Sequence, residues 1–401
     1  MEGGLAVKVY LADLLTGRRI IPLPHTSAEW EMKLNDTDSL TVKVPIYASS
    51  DDARVQYIAN DARLLDLRNT AAIGKTVMVA EDDGLMVGGV LMRRDYDADT
   101  GILTLVASGM WTYFDHRTIL PAKAKGKSLV KSDGSPDPQY DTSYKNVTWN
   151  TVARNLVEQA MSWPHSSVPV VLEAPETGES EANYQAVDLN YVGEVLSNIT
   201  NYQNGCDIGF FPTRTDDGLG YEWHMKTGHP LLGGETHYFS ASAMQPGIAS
   251  LSATDDGDKL ASLQWFTSGK SDDKTLVVSA YTDILEKAGA PVWESVDSSH
   301  STVKLQNTLQ AYANEAAAVY WQPVSSTEAK VHREYLHSVN QTLANYTVGD
   351  YIRFTTKGDW YYVDGAHTRR ITGIKASESS NWITFTLGDV FDGVKVTVDN
   401  G

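Results

Sequence analysis

Period-two alternation at both ends of the chain constrains its fold more than any other feature. In "LTVKVP", Leu40, Val42 and Val44 fall on one face of an extended strand, while Thr41 and Lys43 fall on the other. "LAVKVYLADL" and "KTVMVAEDDGLMVGGVLMRR" repeat the form, the second with Asp83-Gly84 as its tight turn. Strands written this way need a partner layer over their apolar face. The first 120 or so residues therefore predict a sheet-built domain. The last segment alternates in the same manner through "KVHREYLHSV", "GDYIRFTTKG", "WYYVDGAHTRRITGIKA" and "NWITFTLGDV".

"RRDYDADTGILTL" tests that reading. Asp95, Asp97 and Asp99 fall at alternate positions, as at the start of a calcium loop. Such a loop needs Gly at its sixth position and a bidentate Glu at its twelfth. Counting from Asp95, those positions hold Thr100 and Val106. The stretch reads as a hairpin, with Gly101 supplying a positive φ before the next strand.

The middle of the chain changes period. Residues 121–146 are polar and read as a linker or surface excursion. Thr148 then caps a helix with Val152, Leu156, Val157 and Ala160 as its apolar stripe, stopping by Trp163-Pro164. A short strand lies in "VPVVLEA". Asp188 is placed to cap a second helix with the stripe Val192, Val195, Leu196 and Ile199, ending by Gly205. "CDIGFFPTR" with "GLGYEWHMKTG", and "DKLASLQWFTSG" with "KTLVVSAYTD", read as strand pairs. A third helix spans about 304–320, with Leu305, Leu309, Tyr312, Ala313 and Ala316 on one side. The fold class is mainly β with an α/β insertion. The expected divisions are 1–125, 126–212, 213–303 and 304–401.

Composition excludes several functions. A hydrophobic content of 42% with 21% charged residues supports a packed core. The net charge is −18, and the one lysine-bearing stretch, "KAKGKSLVK", is too short to hold duplex DNA. Cys206 is the only cysteine, which excludes an intrachain disulfide and multi-thiolate metal sites. The N-terminus lacks the basic and apolar regions of a signal peptide. No stretch reaches the ~18–20 apolar residues of a membrane span. A soluble protein made in a cytoplasm is expected.

No catalytic motif is complete. Gly74-Lys75-Thr76, Gly126-Lys127-Ser128 and Gly269-Lys270-Ser271 all lack the first glycine of a phosphate loop. G-x-S-x-G and H-E-x-x-H do not occur. His224, His229 and His237 cluster in sequence, but His229 precedes a proline in a turn. His332 and His337, five apart on a strand, would face opposite sides. Acids such as Asp255-Asp256-Gly257-Asp258 and Asp216-Asp217-Gly218 sit in turns. A glycosidase pair would need two of them across one cleft. No cofactor, metal or catalytic residue is expected. The ten tryptophans and twenty tyrosines form two clusters, Trp111-Tyr113-Phe114 and Trp360-Tyr361-Tyr362. These suit a core, a subunit interface or an exposed contact surface.

Five segments, in order along the chain, resemble the baseplate or tail-tip hub of long-tailed bacteriophages, the minor tail protein of actinobacterial phages. They are "PLPHTSAEWEMKLNDTDSLTVKVP", "ASGMWTYFDHRTIL", "WNTVARNLVEQAMSWPHSSVPV", "DLNYVGEVLSNITNYQNGCDIGFFP" and "YTVGDYIRFTTKGDWYYVDGAHTRRITGIKAS". The resemblance implies a homotrimer whose subunits each supply two tail-tube-like β-barrel domains, so that three mimic a sixfold tube. Residues 1–125 would form one barrel. The C-terminal strands, with parts of 126–212, would form the other. It also implies a structural virion protein at the tail tip, made in the host cytoplasm. Its neighbours would be distal tail, tape-measure and tail fibre or tip proteins, with DNA passing through unbound. The chain stops soon after its last strand, which leaves no room for the lysozyme or peptidase domain of some hubs. Trp30, Trp111, Tyr113, Arg117, Asp350, Trp360 and Arg370 are the candidate interface residues, with intrachain packing the alternative for each. The competing functions are a tail-associated glycosidase or esterase and a carbohydrate-binding module using Trp360, Tyr361 and Tyr362.

Overall fold

The computed structural model describes residues 7–46, 61–201, 205–240, 247–268, 275–298, 303 and 306–388. Seven strands come first: β1 (Lys8–Asp13), β2 (Arg19–Pro22), β3 (Ser27–Lys33), β4 (Ser39–Pro45), β5 (Thr76–Asp82), β6 (Leu85–Asp97) and β7 (Ile102–Gly109). Their alternation sets their faces: Leu40, Val42 and Val44 of β4 are buried, and Thr41 and Lys43 are not. Asp83 and Gly84, at φ 49° and 85°, make the two-residue turn from β5 to β6. The Asp-rich stretch is the β6–β7 hairpin. Gly101 sits at φ 65°, and Asp97 Oδ1 accepts from the Asp99 and Thr100 amides at 2.9 and 3.3 Å.

An inserted α/β unit follows. It holds β8 (Thr142–Val147), the helix Trp149–Met161, β9 (Val170–Leu172), β10 (Ser180–Tyr184), the helix Val192–Thr200, β11 (Ile208–Arg214) and β12 (Tyr221–Thr227). Thr148 caps the first helix by accepting from the Thr151 amide. Both predicted stripes are buried, in a core shared with Trp111, Phe114 and Trp223. Asp188, however, is not the second cap. It closes a 3-10 turn, Leu189 follows at φ 50°, and the Val192 amide donates to the Arg117 carbonyl at 2.7 Å.

β13 (Thr236–Ser240) and β14 (Ile248–Asp256) precede a small unit of β15 (Leu263–Thr267), β16 (Val277–Tyr281), β17 (Glu294–Asp297) and the helix Gln306–Val319. Leu309, Ala313 and Ala316 pack onto Phe266 and Val278, and Tyr312 borders them. Leu305 and the Gly269-Lys270-Ser271 triplet lie outside the described residues. The chain then runs through β18 (Val324–His332), the helix Arg333–Ser338, β19 (Tyr351–Thr356), β20 (Gly365–Ser377) and β21 (Trp382–Gly388). Two expectations change here. "KVHREYLHSV" is a strand only as far as His332, because the next residues turn helical and carry Leu336 into the core. The Trp360-Tyr361-Tyr362 cluster lies in a loop, where the Asp359 carboxylate accepts from the Tyr361 and Tyr362 amides and bends the chain.

β20 joins the two ends of the chain. Its residues 365–370 pair with β19, and residues 373–377 pair with β3. Its other edge pairs with β21. The resulting thirteen-stranded sheet runs β14-β18-β21-β20-β3-β4-β7-β6-β5-β1-β2, with β19 also on β20 and β13 on β19. One hydrophobic core draws on both ends, from Val9 and Trp30 to Phe354 and Phe385. The fold is thus β-rich α+β. Among the described residues this path is open and no sheet closes into a barrel, whereas the resemblance implies two tube-like barrels.

A buried polar tie crosses that core. Asp82 accepts two hydrogen bonds from Arg333, at 2.7 and 2.6 Å, and one from Trp30 Nε1 at 2.9 Å. Removing one partner of such a pair strands a buried charge. Arg333→Met is expected to cost about 3–5 kcal/mol in urea unfolding, with much of it recovered when Asp82→Leu is added.

Candidate functional site

A dense polar cluster lies where the β3–β4 turn, the start of β11 and the middle of β20 converge. Asn35 occupies the turn at φ 58°, a conformation that Asn tolerates better than most residues. Its side chain pairs twice with the next segment: Nδ2 donates to Asp207 Oδ1 at 2.7 Å, and Oδ1 accepts from the Ile208 amide at 2.9 Å. Asp207 Oδ2 accepts from the Leu232 amide at 2.8 Å and from Arg370 Nη2. Arg370 also donates to two carbonyls, from Nη2 to Leu232 at 2.9 Å and from Nε to Gly349 at 3.2 Å. Asn35 and Asp207 are 172 positions apart in sequence, and Asp207 and Arg370 are 163. One carboxylate thereby locks three distant segments.

Asp350 builds the adjoining half. Its Oδ1 accepts from the Gly234 and Glu235 amides, both at 3.2 Å. Its Oδ2 accepts from the Thr347 amide at 3.3 Å and meets His237 Nε2 at 3.2 Å. The two halves meet at a backbone crossing. Gly349 has φ 96°, and a Cβ there would stand 2.5 Å from the Leu232 carbonyl oxygen. A Cβ on Gly233, at φ 77°, would stand 2.3 Å from the Gly349 carbonyl carbon. Only glycine fits both positions. Both carboxylates of the cluster and the Asn35 amide are matched to other groups of the chain. The cluster's chemistry is therefore that of a clamp.

Asp38 sits in the same β3–β4 turn. Its carboxylate accepts from the Lys33 amide at 2.9 Å, and its own backbone presses against Gly109, where a Cβ would stand 2.8 Å from the Asp38 nitrogen. Burial pushes the Asp38 carboxyl up to about 7, against the opposing bond from Lys33.

The candidate interface residues separate into groups. Asp350 and Arg370 meet in the clamp. Trp30 is enclosed in the core at 1% exposure. Trp111 packs edge-on to Phe210 and donates to the Gly193 carbonyl at 3.3 Å. Tyr113 Oη donates to the Ser166 carbonyl at 3.2 Å. Arg117 donates to the Ala160 carbonyl at 3.1 Å and lies over Trp163. Trp360 alone of the seven stands in solvent, at 97% exposure. Asn35, Asp207, Gly233 and Gly349 were not singled out from sequence. The signals available were an Asn in a short turn and a glycine directly before Asp350.

The other motifs have local roles. Asp255 accepts from Ser325 and Tyr361, and Asp217 accepts from Thr215 and the Leu219 amide. His224, His229 and His237 contact Glu222, Glu176 and Asp350 respectively. His332 contacts Glu334, and His337 contacts Asp83. Burial pushes the Cys206 thiol up to about 12. Among the described residues no three His, Cys, Asp or Glu side chains are grouped to hold a metal, and no helix is long and apolar enough to cross a membrane.

No protein-family profile matches the chain, and no curated protein matches it. Solved structures do share its fold. The 43 kDa tail protein of prophage MuSo2 from Shewanella oneidensis aligns over 97% of this chain and 100% of its own, with a TM-score of 0.56 and 10% identity. A tail protein from Neisseria meningitidis aligns over 97% of this chain and 98% of its own, with a TM-score of 0.51 and 14% identity. The chain therefore has the fold of these tail proteins along almost its whole length.

Two outcomes are expected at the clamp. Gly349→Ala strains φ and forces the crossing apart, at a cost of about 1–3 kcal/mol in chemical unfolding. Asp38 sets a pH dependence. Its unfolded carboxyl ionises near ~3.9, whereas the folded one holds its proton to about 7. Between those values the folded state binds more protons, so stability falls as pH rises. Urea midpoints at about pH 5 and about pH 8 should show a larger loss for the wild type than for Asp38→Asn, which stays neutral.

Proposed function

We propose that this chain is a structural protein of a phage tail, working as the hub at the tail tip. In this reading it is a homotrimeric adaptor that joins the sixfold tail tube to threefold, host-facing fibre or tip proteins, with distal tail and tape-measure proteins as its other neighbours. It is made in the host cytoplasm and ends in the virion. The observation that carries the reading is sharing of a fold, over 97% of this chain, with two tail proteins, one of them a prophage tail protein that aligns over 100% of its length.

Physical features support it. The clamp ties the inserted unit to the sheet through largely buried, hydrogen-bonded polar groups, as a part under mechanical load requires. Among the described residues the strand path is open, and its edges are suited to pairing with a neighbouring chain, so that tube-like closure would belong to the assembled ring. The net charge of −18 suits a lumen that lets DNA pass without holding phosphate. Trp360, with Val363 at 78% exposure beside it, is an apolar projection suited to a subunit or tail-protein contact.

Light scattering of the purified chain over a range of concentrations tests this. The expected mass is three times 44.0 kDa. A chain that stays monomeric at every concentration counts against the trimer. Trp360→Ala should leave stability within about 0.5 kcal/mol of wild type while weakening assembly.

A further inference from the structure

We propose that the cleft between the antiparallel β8–β10 strand pair and the helix Gln306–Val319 binds a neutral oligosaccharide. The cleft has a volume of about 480 Å³. That falls within the range of about 300–1,000 Å³ typical of small-molecule sites. Its walls come from the inserted unit, including the helix Val192–Thr200, and from the small unit that follows β14.

The lining has the chemistry of a sugar site. Tyr144, Trp149, Tyr184 and Tyr312 all border the cleft and are all only half-buried, so their rings present apolar surface to it. A pyranose ring carries an apolar C–H face that stacks on such rings, and hydroxyls around its rim that need both donors and acceptors. Asn190 and Asn198 reach the same space. Each amide carries a carbonyl acceptor and two N–H donors. Neither side chain makes a hydrogen bond within the described residues, although nearby polar groups such as Ser143 and Asn183 pair with one another. Two half-buried amides are thus left facing the cleft beside four aromatic rings.

Charge selects the class of ligand. Among the described residues of the lining, Lys145 is the one cation, against Glu181 and Asp188. An anionic glycan or a nucleic acid would meet net negative charge there. A peptide would need deep apolar sockets for alternate side chains or a bare strand edge to pair with. The β8–β10 pair uses one edge of each strand, so the exclusion of a peptide rests on the lining, which offers flat rings and amides rather than deep sockets. A neutral sugar chain satisfies the rings and the amides together.

The test uses the intact chain. It is first screened on an array of neutral oligosaccharides built from hexoses and N-acetylhexosamines. The strongest binder is then titrated by calorimetry and by tryptophan fluorescence. Asn198→Ala and Tyr312→Ala are expected to weaken binding at least tenfold with an unchanged melting temperature, and Trp360→Ala is expected to leave it unchanged. Asn198 lies on the cleft side of its helix, so its substitution keeps the fold even if Tyr312→Ala does not. No binding on the array overturns the proposal. So does binding that survives both cleft substitutions, or a peptide library that binds the cleft when no glycan does. A monomeric chain that still binds the glycan leaves this site intact while removing the trimeric hub.

Discussion

The rest of the structure depends on one strand serving several partners. β20 gives one half of an edge to β19, the other half to β3, and its second edge to β21. Backbone hydrogen bonds are obligatory for a buried strand, so this sharing leaves the two ends of the chain no freedom to separate. It also explains why one hydrophobic core contains residues from both ends. A register slip of a single residue in β20 would turn Ile371, Ile374 and Ala376 away from the core that both ends of the chain share.

The polar ties are placed where this sharing needs reinforcement. The bulge between Ile371 and Gly373 follows directly after Arg370, whose guanidinium reaches Asp207, Leu232 and Gly349. At a bulge the ladder is locally broken, and a rigid planar fork of donors compensates well. The Asp82–Arg333–Trp30 tie joins β3, the end of β5 and the residue after β18. In both cases Arg meets a carboxylate out of water, and its other donors or the carboxylate's other acceptor positions are also filled.

Local features were legible in the sequence. Alternation placed the strands, the Asp-Gly turns placed the hairpins, and Thr148 placed its helix. Those signals act over a few residues and owe nothing to the rest of the chain. The failures have tertiary causes. Arg333–Ser338 turned helical because Leu336 had a core to enter and Arg333 had Asp82 to meet, 251 positions away. Asp188 lost its cap role to a carbonyl from Arg117. For the clamp, Asp350 and Arg370 were singled out, but their contact through Asp207 and the Gly233–Gly349 crossing needs three segments to come together first. Four of the five segments that carried the family resemblance contribute to or flank that junction.

β20 also sets an order of events. A ribosome releases β3 and β4 long before it releases the strand that β3 needs on its open side. Until then the N-terminal strands carry an unmatched apolar face and a bare hydrogen-bonding edge. The inserted unit has a core drawn mainly from its own helices and strands, so it can condense earlier. Closing the chain between its ends comes last, and contacts so distant in sequence form slowly. In a crowded cell that interval is when identical chains can pair wrongly. Rapid, abundant production of such a protein would therefore favour a chaperone that shields its first strands until the last are made.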